Sequence, residues 1–187
     1  NMTVTAPLCW ICLGDETDTP EHLRRDCSCR GTAGFVHLSC LVEYAKKKNQ
    51  ECDDRDQDDL DLAGVTGPWE VCPNCKQDYQ NTLSIDMANE FVSFVEKEHP
   101  NDKNKHVEAL CRKLRSICGS LRKSTQIDEA KEVAMRILVL IGQLKVETHM
   151  LLTRYMQVEA LAYNKLGAIA LSEGKEESAK EVLIHFE

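Results

Sequence analysis

The chain has 187 residues, of which 42% are hydrophobic and ten are cysteines, and its formal net charge is −8 at pH 7. A chain of this length and composition can form one or two domains with cores of their own, which excludes an intrinsically disordered protein. The acidic balance disfavours nucleic-acid binding through phosphate contacts. The longest apolar run, at residues 137–142, is far shorter than the roughly 20 residues that a membrane helix needs, so we expect no membrane partner.

The number of cysteines bears on the cellular compartment. In a short secreted protein ten cysteines would predict a disulfide framework, but residues 1–7 lack the charged-then-apolar pattern of a secretory leader. We therefore expect reduced thiols and an intracellular protein, in the cytoplasm or the nucleus.

Residues 1–80 contain eight potential zinc ligands, which occur as four closely spaced pairs. Two ligands separated by one or two residues on a tight turn can chelate one ion without backbone strain, so each pair is half of a tetrahedral site. Two sites with four protein ligands each leave no position for water, which predicts two structural zinc ions. Spacing alone leaves open which pairs share an ion, and two sequential fingers would also fit. The pairs are Cys9 and Cys12, Cys27 and Cys29, His37 and Cys40, and Cys72 and Cys75.

This ligand pattern resembles the RING-CH family of zinc fingers. The resemblance rests on the order of seven cysteines and one histidine, on the seven residues between Cys29 and His37, and on the segment Phe35-Val-His-Leu-Ser-Cys-Leu41. It implies a small zinc-stapled α+β cross-brace module over residues 1–80. The 31 residues between the sixth and seventh ligands exceed the family's usual spacing, and no apolar stretch follows that matches the spans of its membrane-associated members. The resemblance also implies which pairs share an ion: Cys9, Cys12, His37 and Cys40 would hold one, and Cys27, Cys29, Cys72 and Cys75 the other.

The RING-CH resemblance implies a ubiquitin ligase. Such a ligase binds a ubiquitin-charged conjugating enzyme and positions it for transfer, without a covalent intermediate of its own. By similarity to RING modules, Ile11, Leu41, Tyr44 and Pro73 would form the shallow groove for the conjugating enzyme. Lys76 would be the cation that bridges ubiquitin and its carrier, although lysine lacks the bidentate fork of arginine. In plainer interpretations, Ile11 and Leu41 are a small core and Lys76 is a solvated charge.

Residues 51–62 interrupt the zinc module with a dense acidic insert. They hold seven acidic side chains and one arginine, and therefore a net charge of −6 out of the total of −8. Like charges at this density repel one another and bury little surface, so we expect a solvated loop.

Residues 83–187 have the spacing of an all-helical domain. Apolar residues recur at every third or fourth position over residues 107–121 and 127–144, which predicts two amphipathic helices. A third helix is expected from about Val146 to Tyr155. Residues 99–102 include a proline and predict a break between helices.

The end of the chain resembles one tetratricopeptide repeat. This resemblance implies paired helices that approach closely at Gly167 and turn at Gly174, and a helical-hairpin (tetratricopeptide-like) fold for residues 83–187. One repeat cannot bury its apolar face alone, so this interpretation predicts a chain that continues past Glu187. The residues at repeat offsets are Tyr163, Leu166, Gly167, Ala170, Gly174, Ala179 and Leu183.

These features together predict a ubiquitin ligase whose zinc module recruits the ubiquitin carrier and whose helical region recruits a protein target. Two alternatives stay open. A plant-homeodomain-like reader of basic peptides has the same ligand order, but usually has a tryptophan two residues before the seventh ligand, where this chain has Glu70. In a non-catalytic scaffold, zinc would stabilise the fold and the helices would do all the binding, which only an activity assay can distinguish from a ligase.

Overall fold

The computed structural model describes residues 6–18, 20–53, 67–119, 124–147, 152–172 and 174. The chain divides into two compact units, Asn1–Phe91 and Val92–Glu187. In chain order the long helices of the described part are α1 (Leu38–Asp53), α2 (Asn81–Glu98), α3 (Lys103–Gly119), α4 (Ser124–Glu147) and α5 (Leu152–Ser172). A short 3₁₀ helix at Gly31–Gly34 precedes α1, and residues 67–70 are also helical.

The first unit consists mainly of turns around the ligand pairs, together with α1. Its β component is limited to two isolated bridges, Arg24 with Val36 and Val71 with Asp78. The α+β module implied by the resemblance is therefore corrected in one respect, since the described residues form no regular strand. The reason is that the ligand turns, and not an extended sheet, set the path of this short segment.

Helix α1 begins directly after His37 and is capped by a carboxylate from the preceding loop. The backbone amide of Ser39 donates to Glu21 Oε1 at 3.0 Å, and the Ser39 hydroxyl donates to Oε2. Burial raises the pKa of Glu21, but the bonds from Ser39 outweigh it and hold the pKa below its usual value. A carboxylate in this position also compensates the positive end of the helix dipole.

The first half of α2 belongs to the first unit. Leu83, Met87 and Phe91 are spaced four residues apart on one face of the helix and are buried. Phe91 stacks on Trp69, with ring centroids 5.1 Å apart. The compact unit thus extends past the end predicted at residue 80, because the apolar face of α2 completes its core.

Polar contacts hold the same half of α2 against the loop between the first ligand pairs. Arg24 forms an ion pair with Asp86 and donates to Thr82 Oγ1 at 3.1 Å. Asn81 donates to Asp26 Oδ1 at 3.2 Å. These contacts join residues more than 50 positions apart, so no local sequence pattern predicts them.

The second unit is a helical array in which α4 packs against both α3 and α5. The apolar faces predicted for α3 and α4 are confirmed, because their spaced residues form one buried cluster. The helix predicted from about Val146 to Tyr155 is not tested as a whole, because residues 148–151 lie outside the described residues. On either side of them, α4 extends to Glu147 and α5 begins at Leu152. The buried members include Leu110, Leu114, Ile117, Ala134, Ile137, Ile141 and Leu144.

The predicted break at residues 99–102 is confirmed. Asp102 caps α3: its side chain accepts from the amide of Lys105 and its carbonyl from the amide of His106, each at 3.1 Å. The imidazole of His106 lies 3.0 Å from the carbonyl oxygen of His99, which ties the turn to the new helix.

Of the proposed repeat, the structure describes its first helix and its turn. Gly167 is buried within α5, and Gly174 lies in a turn with a φ of 71°. Ala179 and Leu183 lie outside the described residues, so the repeat classification stays a prediction. Within the described part of the chain, no helix is long and apolar enough to cross a membrane.

The acidic insert lies mostly outside the described residues. Its first residues, 51–53, are the end of α1, so the loop predicted for residues 51–62 does not begin at residue 51. Residues 54–62 lie outside the described residues, so the loop stays a prediction there.

Candidate metal centre

The eight predicted ligands form two separate clusters. In each cluster the four ligand atoms all lie within 4.8 Å of one another. The first cluster combines the first and third pairs, and the second combines the second and fourth. This arrangement confirms the cross-brace and excludes two sequential fingers. The clusters are Cys9, Cys12, His37 and Cys40, and Cys27, Cys29, Cys72 and Cys75.

Distances within the clusters suit tetrahedral zinc. The Nδ1 atom of His37 lies 3.4 Å from Cys12 Sγ and 3.9 Å from Cys40 Sγ. In the second cluster, Cys29 Sγ and Cys72 Sγ are 3.7 Å apart. Four donors at zinc–sulfur distances of about 2.3 Å lie about 3.8 Å apart at the corners of a tetrahedron. The two clusters are therefore two zinc sites, each closed by protein ligands.

Two of the ligand pairs lie on turns with matching backbone geometry. In the first turn the Cys9 amide donates to the Gly14 carbonyl and the Leu13 amide to the Cys9 carbonyl, both at 2.8 Å. In the second, the Cys72 amide donates to Gln77 and the Lys76 amide to Cys72, both at 2.9 Å. We call the segments 9–14 and 72–77 the two ligand turns.

The two ligand turns hold one residue each in the left-handed region, directly after the second cysteine. These residues are Leu13, with a φ of 63°, and Lys76, with a φ of 58°. Such values are uncommon for residues other than glycine. They allow the chain to reverse so that both sulfurs of a pair point at one ion.

The electrostatics of the thiols fit a divalent cation. Burial raises the pKa of Cys9, but amide donors from Cys12 and His37 outweigh it and lower the pKa to about 7. Burial and the neighbouring Cys12 and Cys9 raise the pKa of Cys40 to about 12. Crowded sulfurs cannot all ionise by themselves, whereas zinc binds them as thiolates.

In the second site, too, one thiol has a lowered pKa and another has a raised pKa. Burial raises the pKa of Cys75, but the amide of Gln77 and the neighbouring cysteines lower it to about 7. The pKa of Cys29 is raised by burial first and then by hydrogen bonding with Cys27 and Cys72. A tetrathiolate zinc site carries a formal charge of 2−, so nearby cations stabilise it.

One cation and one glycine pack closely against the second site. Arg25 lies over the Phe35 ring, 5.0 Å from its centroid, and donates to the Cys29 carbonyl at 3.3 Å. A Cβ atom added to Gly34 would lie 3.0 Å from Cys29 Cβ and 3.3 Å from Arg25 Cγ. Gly34 therefore permits a close approach between the 3₁₀ helix and a zinc ligand.

The structure places the four predicted partner-binding residues and the predicted bridging cation in different environments. Ile11, Tyr44 and Pro73 are half-buried, and Lys76 is exposed. Leu41 is 1% exposed, so its side chain lies in the core and a partner could not contact it directly. This corresponds to the plainer interpretation of Leu41, in which it belongs to a small core.

Trp10 is a surface component that sequence reasoning did not assign to partner binding. Its half-buried ring meets Tyr44 edge-on, with centroids 6.2 Å apart, and its amide donates to the Phe35 carbonyl at 3.0 Å. Trp10 lies within the first ligand turn and Tyr44 lies on α1. The aromatic pair thus joins two of the elements that were predicted to form the groove.

Comparisons with known proteins agree with this geometry. Residues 9–54 match the family model described as RING-variant domain. The match ends before Cys72 and Cys75, the last pair of ligands. In the structure this pair lies beside Cys27 and Cys29 and completes the second site. The chain therefore carries a RING-variant (RING-CH) zinc domain with both metal sites complete.

A curated relative gives a more particular likeness. The chain is 29% identical over 72 residues to a Xenopus laevis protein named E3 ubiquitin-protein ligase MARCHF5. The alignment covers 38% of this chain and 21% of that protein, so it spans about a fifth of the relative's length. No solved structure matches the chain.

Proposed function

We propose that this protein is a RING-type ubiquitin ligase. The observation that carries the proposal is the pair of cross-braced zinc sites inside a RING-variant domain. The likeness to a protein named as a ubiquitin ligase supports it at low identity. The partners would be a ubiquitin-conjugating enzyme and ubiquitin.

The proposed mechanism is positioning and needs no covalent intermediate on the ligase. Ile11, Trp10 and Tyr44 would contact the conjugating enzyme, with Pro73 at the neighbouring ligand turn. Lys76 would offer its charge to ubiquitin and its carrier and so favour the reactive geometry of the thioester. Holding two reacting groups in a productive orientation can lower a barrier by several kcal/mol, of the order seen for intramolecular reactions.

The zinc ions in this proposal are structural. Each site has four protein ligands and no open position for water, so neither metal would activate a nucleophile. Zinc would instead hold the two ligand turns in the geometry that presents Ile11 and Lys76.

The helical unit is the proposed target-binding domain. Large apolar side chains are exposed on two of its helices, Met135 and Val139 on α4 and Leu171 on α5. Met135 and Val139 lie four residues apart on one face of α4, and contiguous exposed apolar side chains are the kind of surface that binds other proteins. A tetratricopeptide-like array would present them on an extended face.

A non-catalytic scaffold is the alternative that one observation favours. Leu41, one of four residues assigned to the groove, is buried, which reduces the apolar area available to a conjugating enzyme. The plant-homeodomain-like alternative has less support. Trp69, the tryptophan nearest the seventh ligand, is 2% exposed and is therefore inaccessible to a peptide.

An intracellular location in the cytoplasm or nucleus accompanies the proposed function. Seven ligand cysteines must stay reduced to bind zinc, which the reducing intracellular compartments maintain.

The proposed function is tested by autoubiquitination with a panel of conjugating enzymes. We expect transfer with at least one enzyme, a steep loss for Ile11→Ala with both zincs retained, and no transfer for His37→Ala. Truncating one interface contact costs roughly 1 to 3 kcal/mol of a weak interaction. If the unmutated chain transfers no ubiquitin across a broad panel, the scaffold becomes the better explanation.

A further inference from the structure

Tyr79, which lies shortly after the second ligand turn, carries a buried hydroxyl group. The residue is 5% exposed, and among the described residues its hydroxyl oxygen has no hydrogen-bond partner. Buried polar atoms in folded proteins nearly always have a partner, because an unpaired one has lost its bonds to water without replacement. Phenylalanine would fill the same space without this cost, so the hydroxyl group needs an explanation of its own.

The backbone of Tyr79 is held between the two halves of the second zinc site. Its amide donates to the carbonyl of Glu70 at 2.8 Å, just before the fourth ligand pair. The following amide, that of Gln80, donates to the carbonyl of Asp26 at 2.8 Å, just before the second ligand pair. Tyr79 therefore has a fixed position relative to both ligand pairs of this site.

The short antiparallel bridge beside the second ligand turn sets the direction of the Tyr79 side chain. Val71 lies opposite Asp78, and the Cys72 amide donates to the carbonyl of Gln77. Side chains alternate between the faces of such a pairing, so Tyr79 and Cys72 lie on the same face as diagonal neighbours. Diagonal neighbours are roughly 7 Å apart, a distance that an aromatic side chain can reach across. The phenol therefore extends on the side where Cys72 offers its sulfur to zinc.

The charges around the hydroxyl group belong largely to the same site. Burial raises the pKa of Tyr79 above its ordinary value, and Cys72, Cys27, Tyr44 and Cys75 raise it further. Negative charge nearby disfavours the phenolate, so the hydroxyl keeps its proton and can donate a hydrogen bond. Three of the four ligands of the second site are thus among the groups whose charge acts on this hydroxyl.

We propose that the Tyr79 hydroxyl donates a hydrogen bond, through one buried water, to the zinc-bound sulfurs of the second site. The structure shows no direct bond, because no sulfur of the described residues lies within hydrogen-bonding reach of the oxygen. A buried water needs polar partners on more than one side, which the hydroxyl and the thiolates provide.

The proposed bond would make Tyr79 a positioning residue for the metal. A tetrathiolate site carries a formal charge of 2−, and a donor outside the ligand set offsets part of that charge and slows loss of the ion. This role goes beyond the proposed ligase function and does not depend on it.

Tyr79→Phe removes only the hydroxyl group, and its effect has opposite signs for an unpaired and a bonded group. Loss of an unpaired buried hydroxyl leaves the protein equally stable or more stable, whereas loss of a bonded one weakens the site that it supports. Tyr163→Phe is the matched control, because it removes a phenol from the second unit, which contains none of the eight zinc ligands.

The measurement is cadmium-113 NMR of the full chain, with both zinc ions replaced by cadmium-113 and then titrated with a chelator. The two sites give separate resonances, because one has three sulfurs and a nitrogen and the other has four sulfurs. For Tyr79→Phe we expect the affinity of the four-sulfur site to fall about tenfold, and that of the mixed site to stay within about twofold. Tyr163→Phe should leave both affinities within about twofold of the unmutated chain.

Zinc itself should give the same result as cadmium. From Tyr79→Phe, one of the two zinc equivalents should pass to a colorimetric chelator faster than from the unmutated chain, and the other at the same rate.

Two outcomes overturn the proposal. If the four-sulfur site of Tyr79→Phe holds its metal as tightly as in the unmutated chain, or more tightly, the hydroxyl is an unpaired group that the site does not use. If Tyr79→Phe weakens both sites equally, the phenol acts through the stability of the first unit as a whole and not through the second site.

Discussion

The indole Nε1 of Trp69 donates a hydrogen bond to Asn49 Oδ1 at 2.9 Å, and both side chains are buried. Asn49 lies on α1 and Trp69 lies in the helical turn at residues 67–70, on opposite sides of the acidic insert. Trp69 also stacks on Phe91 of α2. The two ends of the insert are therefore held together by a contact that involves no zinc ligand.

Because the contact between Asn49 and Trp69 joins the two ends of the acidic insert, we predict that the insert itself is dispensable for metal binding. Replacing residues 54–62 by a Gly-Ser sequence of equal length removes the charge and keeps the connection. We expect two zinc ions per chain by elemental analysis, as in the unmutated protein. A lower zinc content in the replaced protein would show that the insert has a structural part.

The same hydrogen bond predicts a stability effect for Asn49→Ala. The substitution leaves the buried indole N–H without its acceptor, which costs about 1 to 3 kcal/mol in the free energy of unfolding. Denaturant unfolding of the zinc-loaded protein measures it. Gln50→Ala, an exposed neighbour on α1, is the matched control and should stay within about 0.5 kcal/mol. Equal effects of the two substitutions would contradict a structural role for the bond.

Removal of zinc should separate the behaviour of the two units. The first unit holds both zinc sites, so a strong chelator should unfold it, whereas the core of α3, α4 and α5 contains no ligand. We expect two zincs released per chain and a partial loss of helical circular dichroism. Complete loss of the helical signal on chelation would mean that the second unit depends on metal.

Gly34→Ala should weaken the second zinc site. The new methyl group would lie 3.0 Å from Cys29 Cβ, and a metal ligand cannot move away without distorting its site. Overpacking of this kind costs typically about 1 to 3 kcal/mol, so zinc should be lost faster to a colorimetric chelator. Gly67→Ala is the control, because a Cβ there meets nothing within 4 Å. An unchanged rate for Gly34→Ala would indicate that the 3₁₀ helix can shift without cost.

The capping carboxylate of Glu21 predicts a pH-dependent effect. Its pKa is lower in the folded protein than its ordinary value of 4.5. Its stabilisation is therefore fully present above about pH 4.5 and is lost as the pH falls through the lower folded pKa. Glu21→Gln should reduce stability at pH 7 by about 0.5 to 2 kcal/mol, the range of helix caps.

Measuring the difference between the two proteins at several pH values checks this prediction, within the range in which both still hold two zinc ions by elemental analysis. The difference should shrink as the pH falls below 4.5. A difference that is constant from pH 7 to pH 4 would remove the electrostatic explanation of the cap.

The zinc ligands could be predicted from the sequence because the two ligands in each half of a zinc site are neighbours in the chain. Cys9 and Cys12, or Cys72 and Cys75, lie close enough on a turn to chelate one ion whatever the rest of the chain does. The apolar faces of α3 and α4 were readable for the same reason, since helical periodicity relates residues only three or four positions apart.

Contacts between distant residues were decided only by the tertiary structure. Residue spacing left the partner of the Cys72 and Cys75 pair open, and the family match ends before that pair, whereas the fold brings it to Cys27 and Cys29. Three further features are contacts of this kind: the packing of the first half of α2 in the first unit, the burial of Leu41, and the bond between Asn49 and Trp69. Each of these features depends on apolar surfaces that lie far apart in the chain and are buried against one another. No short segment of sequence determines such burial.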